Sequence, residues 1–516
     1  MIVLYNPLST TPGKQPLPLS LMALAAVLEA PDLPGLNAGI KTPVRWALVD
    51  GNAVPDPAAE IIARLSDVPR SQIPLLAVTV MPGPQLTQAV AVCARVKAAL
   101  PHVPIVWGGY FPTQHADTVL RAPYVDFVIR SQGEVAILQL LQVLRSGGVL
   151  NSVGGLSWKT GRAKASAERP PEIVDNPVRP LANLDDLPEL PYHRVPMERY
   201  IHRNYLGDRT MVHNSSFGCP FACSFCAVVA MSNRRWLAQS PARMERVMRH
   251  LVTTYGVDGM QMHDMDFFIN EARTAEFSER IADLGLQWWA LGRADTIMQY
   301  SDATWTKMAR SGLKMLFSGA ESGADEALAR MNKGGNASAA LTLEFAARLR
   351  RYGIVPEFSF VLGCPPDPIA DVETTFAFIR RIKQVNPSAE IVLYTYTPVP
   401  LDGALYTDAK RLGFAFPDTL EQWASPEWER LSMRRGDGIP WVDRSTGDIR
   451  RRVRNFERVV NAFYPTVTDA RLTGWRRAAL KAASGLRYRL KWYGAPYELR
   501  VLNRLFHYQR PETTGF

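Results

Sequence analysis

Along the first 150 residues, short apolar runs alternate with stretches whose apolar positions recur at helical spacing. The runs "MIVLYNP", "RWALVDGN", "PLLAVTVMPGP", "PIVWGGY" and "DFVIRSQGE" predict strands. "PLSLMALAAVLEA", "QLTQAVAVCARVKAAL" and "EVAILQLLQVLRSG" predict helices. Such alternation predicts an α/β domain with a parallel, doubly wound sheet. Ligands of such sheets sit at the carboxyl ends of the strands, here residues 6–18, 50–52, 81–85, 108–115 and 131–134.

The pattern then breaks. Residues 151–205 include "SAERPPEIVDNPVRPLANLDDLPELPYHRVP", which is proline-rich and aperiodic and predicts a linker. A second alternating series follows over 206–407, with strands expected at "TMVHNSSF", "GMQMHDMDFF", "LQWWALGRAD", "LKMLFSGAES", "VPEFSFVLG" and "AEIVLYTYTPV". Six βα units predict a partial or full barrel with its chemistry at the strand C-termini. Residues 408–516 read as helical and increasingly basic.

Composition narrows the class. The 516 residues suggest roughly two to four domains. The opening residues lack a basic region followed by an apolar core, so no signal peptide is expected. No uncharged apolar run reaches about 18 residues, so no membrane-spanning helix is expected. Five cysteines, with Cys93 and Cys364 isolated, do not form a disulfide framework and point to a reducing cytoplasm. The net charge of +10 is concentrated in the tail: residues 471–516 hold ten Lys/Arg against Glu498 and Glu512. No nucleic-acid-binding module accompanies that charge, so no nucleic-acid partner is expected.

The remaining cysteines carry the strongest signal. Cys219, Cys223 and Cys226 lie in "SSFGCPFACSFC", directly after the first strand of the second series. A structural zinc site is normally closed by four ligands, so zinc would need His213 or a distant donor. An iron–sulfur cluster also usually takes four cysteines, and three leave one iron open to a small molecule.

The C-x3-C-x2-C spacing, with aromatic Phe225 before the last cysteine, resembles the radical S-adenosylmethionine superfamily. The resemblance implies a [4Fe–4S] cluster on Cys219, Cys223 and Cys226 whose open iron chelates S-adenosylmethionine. One electron, from a donor such as flavodoxin or ferredoxin, would then release a 5′-deoxyadenosyl radical. "HDMDFF", "GRAD", "SGAESG" and "FVLGCPPD" follow in the order of the family's later strand ends. They imply S-adenosylmethionine contacts from Phe225, Asp264, Asp266, Arg293, Ser318, Glu321 and Gly363.

The first section resembles the cobalamin-binding domain that often precedes this barrel, through "PLPLSLMALAAVLE", "LVDGN", "VTVMPGP" and "WGGYFPTQHADTVLRAPYVDFVIRSQGE". The implied cobalamin contacts are Leu17, Ser20, Asp50, Thr79, Met81, Gly83, Gly108, Gly109, Tyr110, Gly133 and Glu134. A flavodoxin-like domain that binds nothing is the alternative. No histidine sits in a D-x-H-x-x-G motif, so cobalamin is expected with its base displaced and no histidine on cobalt. The segments 81–85 and 110–115 are candidates to face the metal, although His115 reads equally as an exposed loop residue.

Together the resemblances imply a two-cofactor enzyme that methylates an unactivated carbon of a small-molecule or lipid-like substrate. A radical ring-forming reaction, as in the anaerobic cyclase of chlorophyll synthesis, is the alternative within the family. A cobalamin-binding regulator with an inactive barrel is the alternative outside it. The tail interleaves Trp475, Leu480, Leu486, Tyr488, Leu490, Trp492 and Tyr493 with Lys and Arg. Its apolar side is expected to pack on the barrel, and peripheral contact with a membrane is the other reading.

Overall fold

The computed structural model describes residues 1–8, 15–69, 72–160, 172–333, 335, 337–432, 438–443, 449–469, 472 and 474–506. Part of the first expected ligand loop (9–14), part of the expected linker (161–171) and the end of the tail (507–516, including His507) lie outside them.

The first sheet holds β1 (Ile2–Asn6), β2 (Trp46–Asp50), β3 (Leu75–Thr79), β4 (Ile105–Gly108), β5 (Phe127–Ile129), β6 (Leu156–Thr160) and β7 (Glu172–Asp175). Their spatial order is β2-β1-β3-β4-β5-β6-β7. The first five pair in parallel, and β6 and β7 add on antiparallel. The central strands are apolar on both faces because both are covered. Ile2, Leu4, Leu75 and Ala77 meet the helices Leu19–Glu29 and Glu134–Ser146. Val3, Tyr5, Leu76 and Val78 meet Pro57–Ser66 and Pro84–Ala99. The chain reverses its winding between β1 and β3, which opens a crevice at the carboxyl ends of those strands.

The expected linker needs correction. Within 151–205, "LSWKT" and "EIVD" form β6 and β7 and extend the first sheet. β7 is a short edge strand without a buried residue, and β6, held between β5 and β7, buries three consecutive residues, so neither shows an apolar period. The rest of the segment crosses to the second sheet, where the Tyr200 hydroxyl donates to Asp50 Oδ2 at 3.0 Å.

The second sheet contains β8 (Thr210–His213), β11 (Gly259–Met262), β12 (Gln287–Leu291), β13 (Leu313–Glu321), β14 (Val355–Leu362) and β15 (Glu390–Thr395), with the β9–β10 pair (Ser216–Gly218, Trp236–Ala238) set apart after β8. The order β15-β14-β13-β12-β11-β8 is sequential, all parallel and open between β15 and β8, a partial barrel. Helices follow, and part of this C-terminal region bridges back to the first domain. Phe416 and Trp423 pack on Phe111 and His115 with ring centroids 4.8–5.2 Å apart, and Thr87 Oγ1 donates to Glu429 at 2.7 Å.

Candidate active site

The cysteine loop starts where β8 ends. β9 and β10 pair antiparallel and close the loop at its base, with Gly218 opposite Trp236. Gly218 takes φ +83°, and a Cβ there would stand 2.1 Å from the Arg235 carbonyl oxygen, so glycine is required. The approach to the loop is pinned from below by buried Asp264, which accepts from Ser215 N (3.1 Å), Ser215 Oγ (2.8 Å) and Ser216 Oγ. Arg273 Nη2 donates to Ser215 Oγ at 2.6 Å and completes the anchor. From above, the segment after β13 clasps the loop. Ser224 N donates to Met331 O (2.9 Å), and Asn332 Nδ2 donates to Ala222 O (2.9 Å).

Cys223 is buried, and Cys219 and Cys226 are half-buried. Burial pushes the Cys219 thiol up to about 12, with Asp266 and the other two cysteines adding to it. It pushes Cys226 up to about 11 and raises Cys223 as well. Two cations oppose this at Cys223: Lys333, and Arg293, whose Nη1 donates to the Cys223 sulfur at 3.4 Å. Thiols so desolvated and crowded stay protonated unless strong positive charge displaces the protons, and iron supplies that charge. The donor set of three soft sulfurs fits an iron–sulfur cluster with one open iron.

Arg293 and Lys333 are themselves held. Arg293 forms a buried fork with Asp295 at 3.0 and 2.7 Å and lies 3.8 Å over the Phe221 ring. Lys333 pairs with Glu321 at 3.0 Å, both side chains buried. Glu321 sits at an irregularity of the β13–β14 pairing with φ +61°, which turns its carboxylate toward Lys333. Sequence reading missed Lys333, because nothing in "MNKGG" resembles a strand end.

The two acids of "HDMDFF" do different work. Asp264 is saturated by the serines and serves as the loop's anchor. Asp266 is buried with Oδ1 accepting from Phe268 N at 3.2 Å and Oδ2 unpartnered, and desolvation pushes its carboxyl up to about 7. The Ser318 hydroxyl, on β13, is likewise buried without a partner. Unpaired buried polar atoms are costly, and a ligand amino or hydroxyl group would satisfy both. Phe225 packs half-buried against the core, and Gly363 ends β14, with its N–H donating to Asp371 at 2.9 Å.

A cavity with ≈ 1660 Å³ of empty space, partly continuous with solvent, lies between the two sheets. One wall is the carboxyl edge of the first sheet: Ser20, Thr79, Gly108, Gly109, Gly133 and Glu134. The other brackets the cysteine loop with Phe217, Gly218, Val228 and Met231. Gly109 takes φ +97°, and a Cβ would come 3.0 Å from Thr79 Oγ1. This bare backbone lets a large flat ligand approach. Ser131, in the left-handed region at φ +68°, adds a buried hydroxyl without a partner to the lining. Burial raises the Glu134 carboxyl. The cavity also extends between the first sheet and its helices, past Ala77, Val106, Ile129 and Ile137. The residues present therefore fit a flat macrocycle with an apolar appendage.

Five expected contacts are not part of this lining. Asp50 is spent on Asn6, Asn52 and Tyr200. Leu17 is buried in the core beside the barrel, Met81 is exposed, and Gly83 faces Ser432. Tyr110 is off the cavity lining, but close enough to Cys226 for that thiol's charge to add to the burial that holds its hydroxyl at about 12. His115 is not an exposed loop residue. It is enclosed by Phe111, Phe416 and Trp423, and desolvation lowers it to about 4. Two histidines the sequence reading left unassigned, His213 and His263, line the barrel wall of the cavity. Their places at the ends of β8 and β11 were the available signal.

The B12 binding domain model matches residues 7–141, and the Radical SAM superfamily model matches residues 213–379. The chain therefore carries a B12-binding domain followed by a radical SAM domain. Its cofactors are those of the two domains: cobalamin, S-adenosylmethionine and a [4Fe–4S] cluster. It is 27% identical over 282 residues to an uncharacterised methyltransferase of Pyrococcus horikoshii, covering 54% of this chain and 58% of that one. It is 26% identical over 305 residues to the anaerobic magnesium-protoporphyrin IX monomethyl ester cyclase of Synechocystis, covering 58% and 57%. The chain thus spans little more than half the length of these curated relatives. The fold is similar to that of the radical S-adenosylmethionine methyltransferase TsrM of Kitasatospora setae, with a TM-score of 0.62, 16% identity, and 84% and 83% of the two chains covered.

Proposed function

We propose that the protein methylates an unactivated carbon of a small-molecule or lipid-like substrate. The observation that carries this is the shared cavity, in which the carboxyl edge of the first sheet faces the residues that bracket the cysteine loop. A substrate held there is within reach of both cofactor sites. When bound, the cluster with S-adenosylmethionine supplies a 5′-deoxyadenosyl radical for hydrogen abstraction, and methylcobalamin supplies a methyl group.

The protein's own part is positioning and charge. Asp264 and Arg273 hold the cysteine loop, Arg293 and Lys333 offset thiolate charge, and Asp266 and Ser318 offer free acceptors to S-adenosylmethionine. The bare backbone at Gly108 and Gly109 receives the face of the corrin. Leu184, Leu187, Leu190 and Met231 keep the cavity apolar and suit a substrate with few polar groups. A small reducing protein such as flavodoxin or ferredoxin would deliver electrons.

The likeness to the cyclase supports a second reading, oxidative ring formation. Product mass separates the two. Anaerobically reconstituted enzyme, given reductant, S-adenosylmethionine and extract from a strain lacking the gene, is expected to yield a product heavier by one CH2 unit. A product that has lost hydrogen without gaining carbon would replace methylation by cyclisation. Failure to release any 5′-deoxyadenosine would overturn both readings in favour of a cobalamin-binding regulator.

A further inference from the structure

The C-terminal helices only partly meet the expectation that their apolar side packs inward. Leu480 and Tyr488 are buried, and Tyr493 packs on Phe456 at 5.0 Å. A second apolar stripe faces outward. On the helix Gly474–Arg489 and its continuation, Trp475, Leu486 and Leu490 are 65–66% exposed, at spacings that place them on one face with Ala478 and Ala482. On the helix Tyr497–Leu505, Tyr497, Val501 and Leu505 repeat every fourth residue and are 56–65% exposed. Basic side chains flank both stripes: Lys481 and Arg489 on the first, Arg500 and Arg504 on the second.

Between the helices, Trp492 is 55% exposed yet firmly held. The Arg487 guanidinium stacks on its ring at 3.9 Å and is itself fixed by Gly494 O at 2.6 Å and by Glu498. Trp492 and Tyr497 also line a cleft against the helices Pro368–Val385 and Ile449–Phe463. That cleft is lined by Arg380, Arg381, Arg451, Arg452, Lys491 and Arg500 against one acid, Glu373, which Arg452 already engages at 2.6 Å. Arg381, Lys491 and Arg500 make no ion pair among the described residues.

We propose that this face docks on an anionic phospholipid bilayer. The cleft would receive a lipid phosphate, and Trp475, Leu486, Leu490, Trp492, Tyr497, Val501 and Leu505 would enter the acyl boundary. The charge decides the occupant. An apolar belt flanked by cations beside a cationic cleft complements a negatively charged, apolar-cored surface, and a half-exposed tryptophan held by Arg487 suits the depth between the two. No helix among the described residues is long and apolar enough to cross a membrane, so the contact is peripheral. This inference stands whether the reaction is methylation or cyclisation.

The test uses the full chain with phosphatidylcholine vesicles, with and without phosphatidylglycerol, at low and high salt. Co-sedimentation with the anionic vesicles is expected to exceed that with neutral ones about tenfold and to fall with salt. Lys491→Glu with Arg500→Glu should abolish the preference for anionic lipid. Leu486→Ser with Leu490→Ser should weaken binding to both vesicle types. All four positions are exposed, so a far-ultraviolet circular dichroism spectrum like that of the wild type is expected. Should a variant misfold, tryptophan quenching of the wild-type protein by brominated acyl chains gives an independent reading. Equal binding to the two vesicle types, or no quenching, would overturn the proposal. So would a lipid-free dimer that the leucine variants dissociate, since the occupant would then be a second copy of the chain.

Discussion

Asp264 and Asp266 lie two residues apart and were indistinguishable in the sequence as acids at a strand end. The structure separates them by partners. Asp264→Ala would strand three donors on Ser215 and Ser216 in a buried site, at a cost of about 3 kcal/mol. Urea denaturation of the apoprotein should register that loss, and reconstituted iron per chain should fall because the cysteine loop loses its anchor. Asp266→Ala removes a carboxylate with one oxygen unpaired, so apoprotein stability should hold. Affinity for S-adenosylmethionine, read by equilibrium dialysis of the reconstituted enzyme, should drop about tenfold or more, the weight of one charge-assisted hydrogen bond. Equal effects of the two substitutions would contradict this division. Cys223→Ala should remove about a quarter to all of the iron and all 5′-deoxyadenosine formation.

At the scale of elements, the parallel strands were legible because most of their residues are buried and they read as short, largely apolar runs between helical patterns. β6 and β7 were not: β7 is an exposed edge strand held by backbone pairing, and β6 buries three consecutive residues within only five, so neither sequence carries a period. The turn from β4 into the helix Tyr110–Gln114 was legible through its paired glycines, and it supports a direct test. Gly109→Ala would force an alanine into the left-handed region and set a methyl group against Thr79 Oγ1. Cobalamin affinity should fall about tenfold or more while iron content stays unchanged; unaltered affinity would mean that this turn is not the corrin platform. The helix that begins after His115 is tied to the C-terminal region through the imidazole itself. Desolvation places that imidazole near 4 in the folded state, below its ordinary 6.5. The folded state therefore binds fewer protons than the unfolded chain between these values. Its contribution is intact above about pH 6.5 and is lost as pH falls toward 4, on the order of 3 kcal/mol. His115→Phe should flatten the acid limb of the stability curve, measured by denaturant titration from pH 7 to 4.

For the whole molecule, the two cofactor domains were legible because each carries its signals in short segments at successive strand ends of its own stretch of chain. Their joint cavity was not, because it depends on the packing of elements far apart in the chain. That packing also bears on how cobalamin sits. The chain lacks D-x-H-x-x-G, and the one histidine on the proposed corrin loop, His115, is locked among aromatic rings. His213 and His263 belong to the barrel wall, where burial lowers both. His213 is further engaged by Tyr192 and Gln239 at 3.5 and 3.1 Å. The apolar slot past Ala77, Val106, Ile129 and Ile137 would give a displaced nucleotide tail a place between sheet and helices. These features together lead us to expect base-off cobalamin with no histidine nitrogen on cobalt. Electron paramagnetic resonance of the cob(II)alamin enzyme should then lack nitrogen superhyperfine splitting. If splitting appears, the same measurement on His213→Ala and His263→Ala would trace it to the barrel wall. Its persistence in both would mean that the tail's own base remains on the metal and the slot is not its seat. Ile137→Trp gives the complementary reading: filling the slot should weaken cobalamin binding but leave iron content and apoprotein secondary structure unchanged.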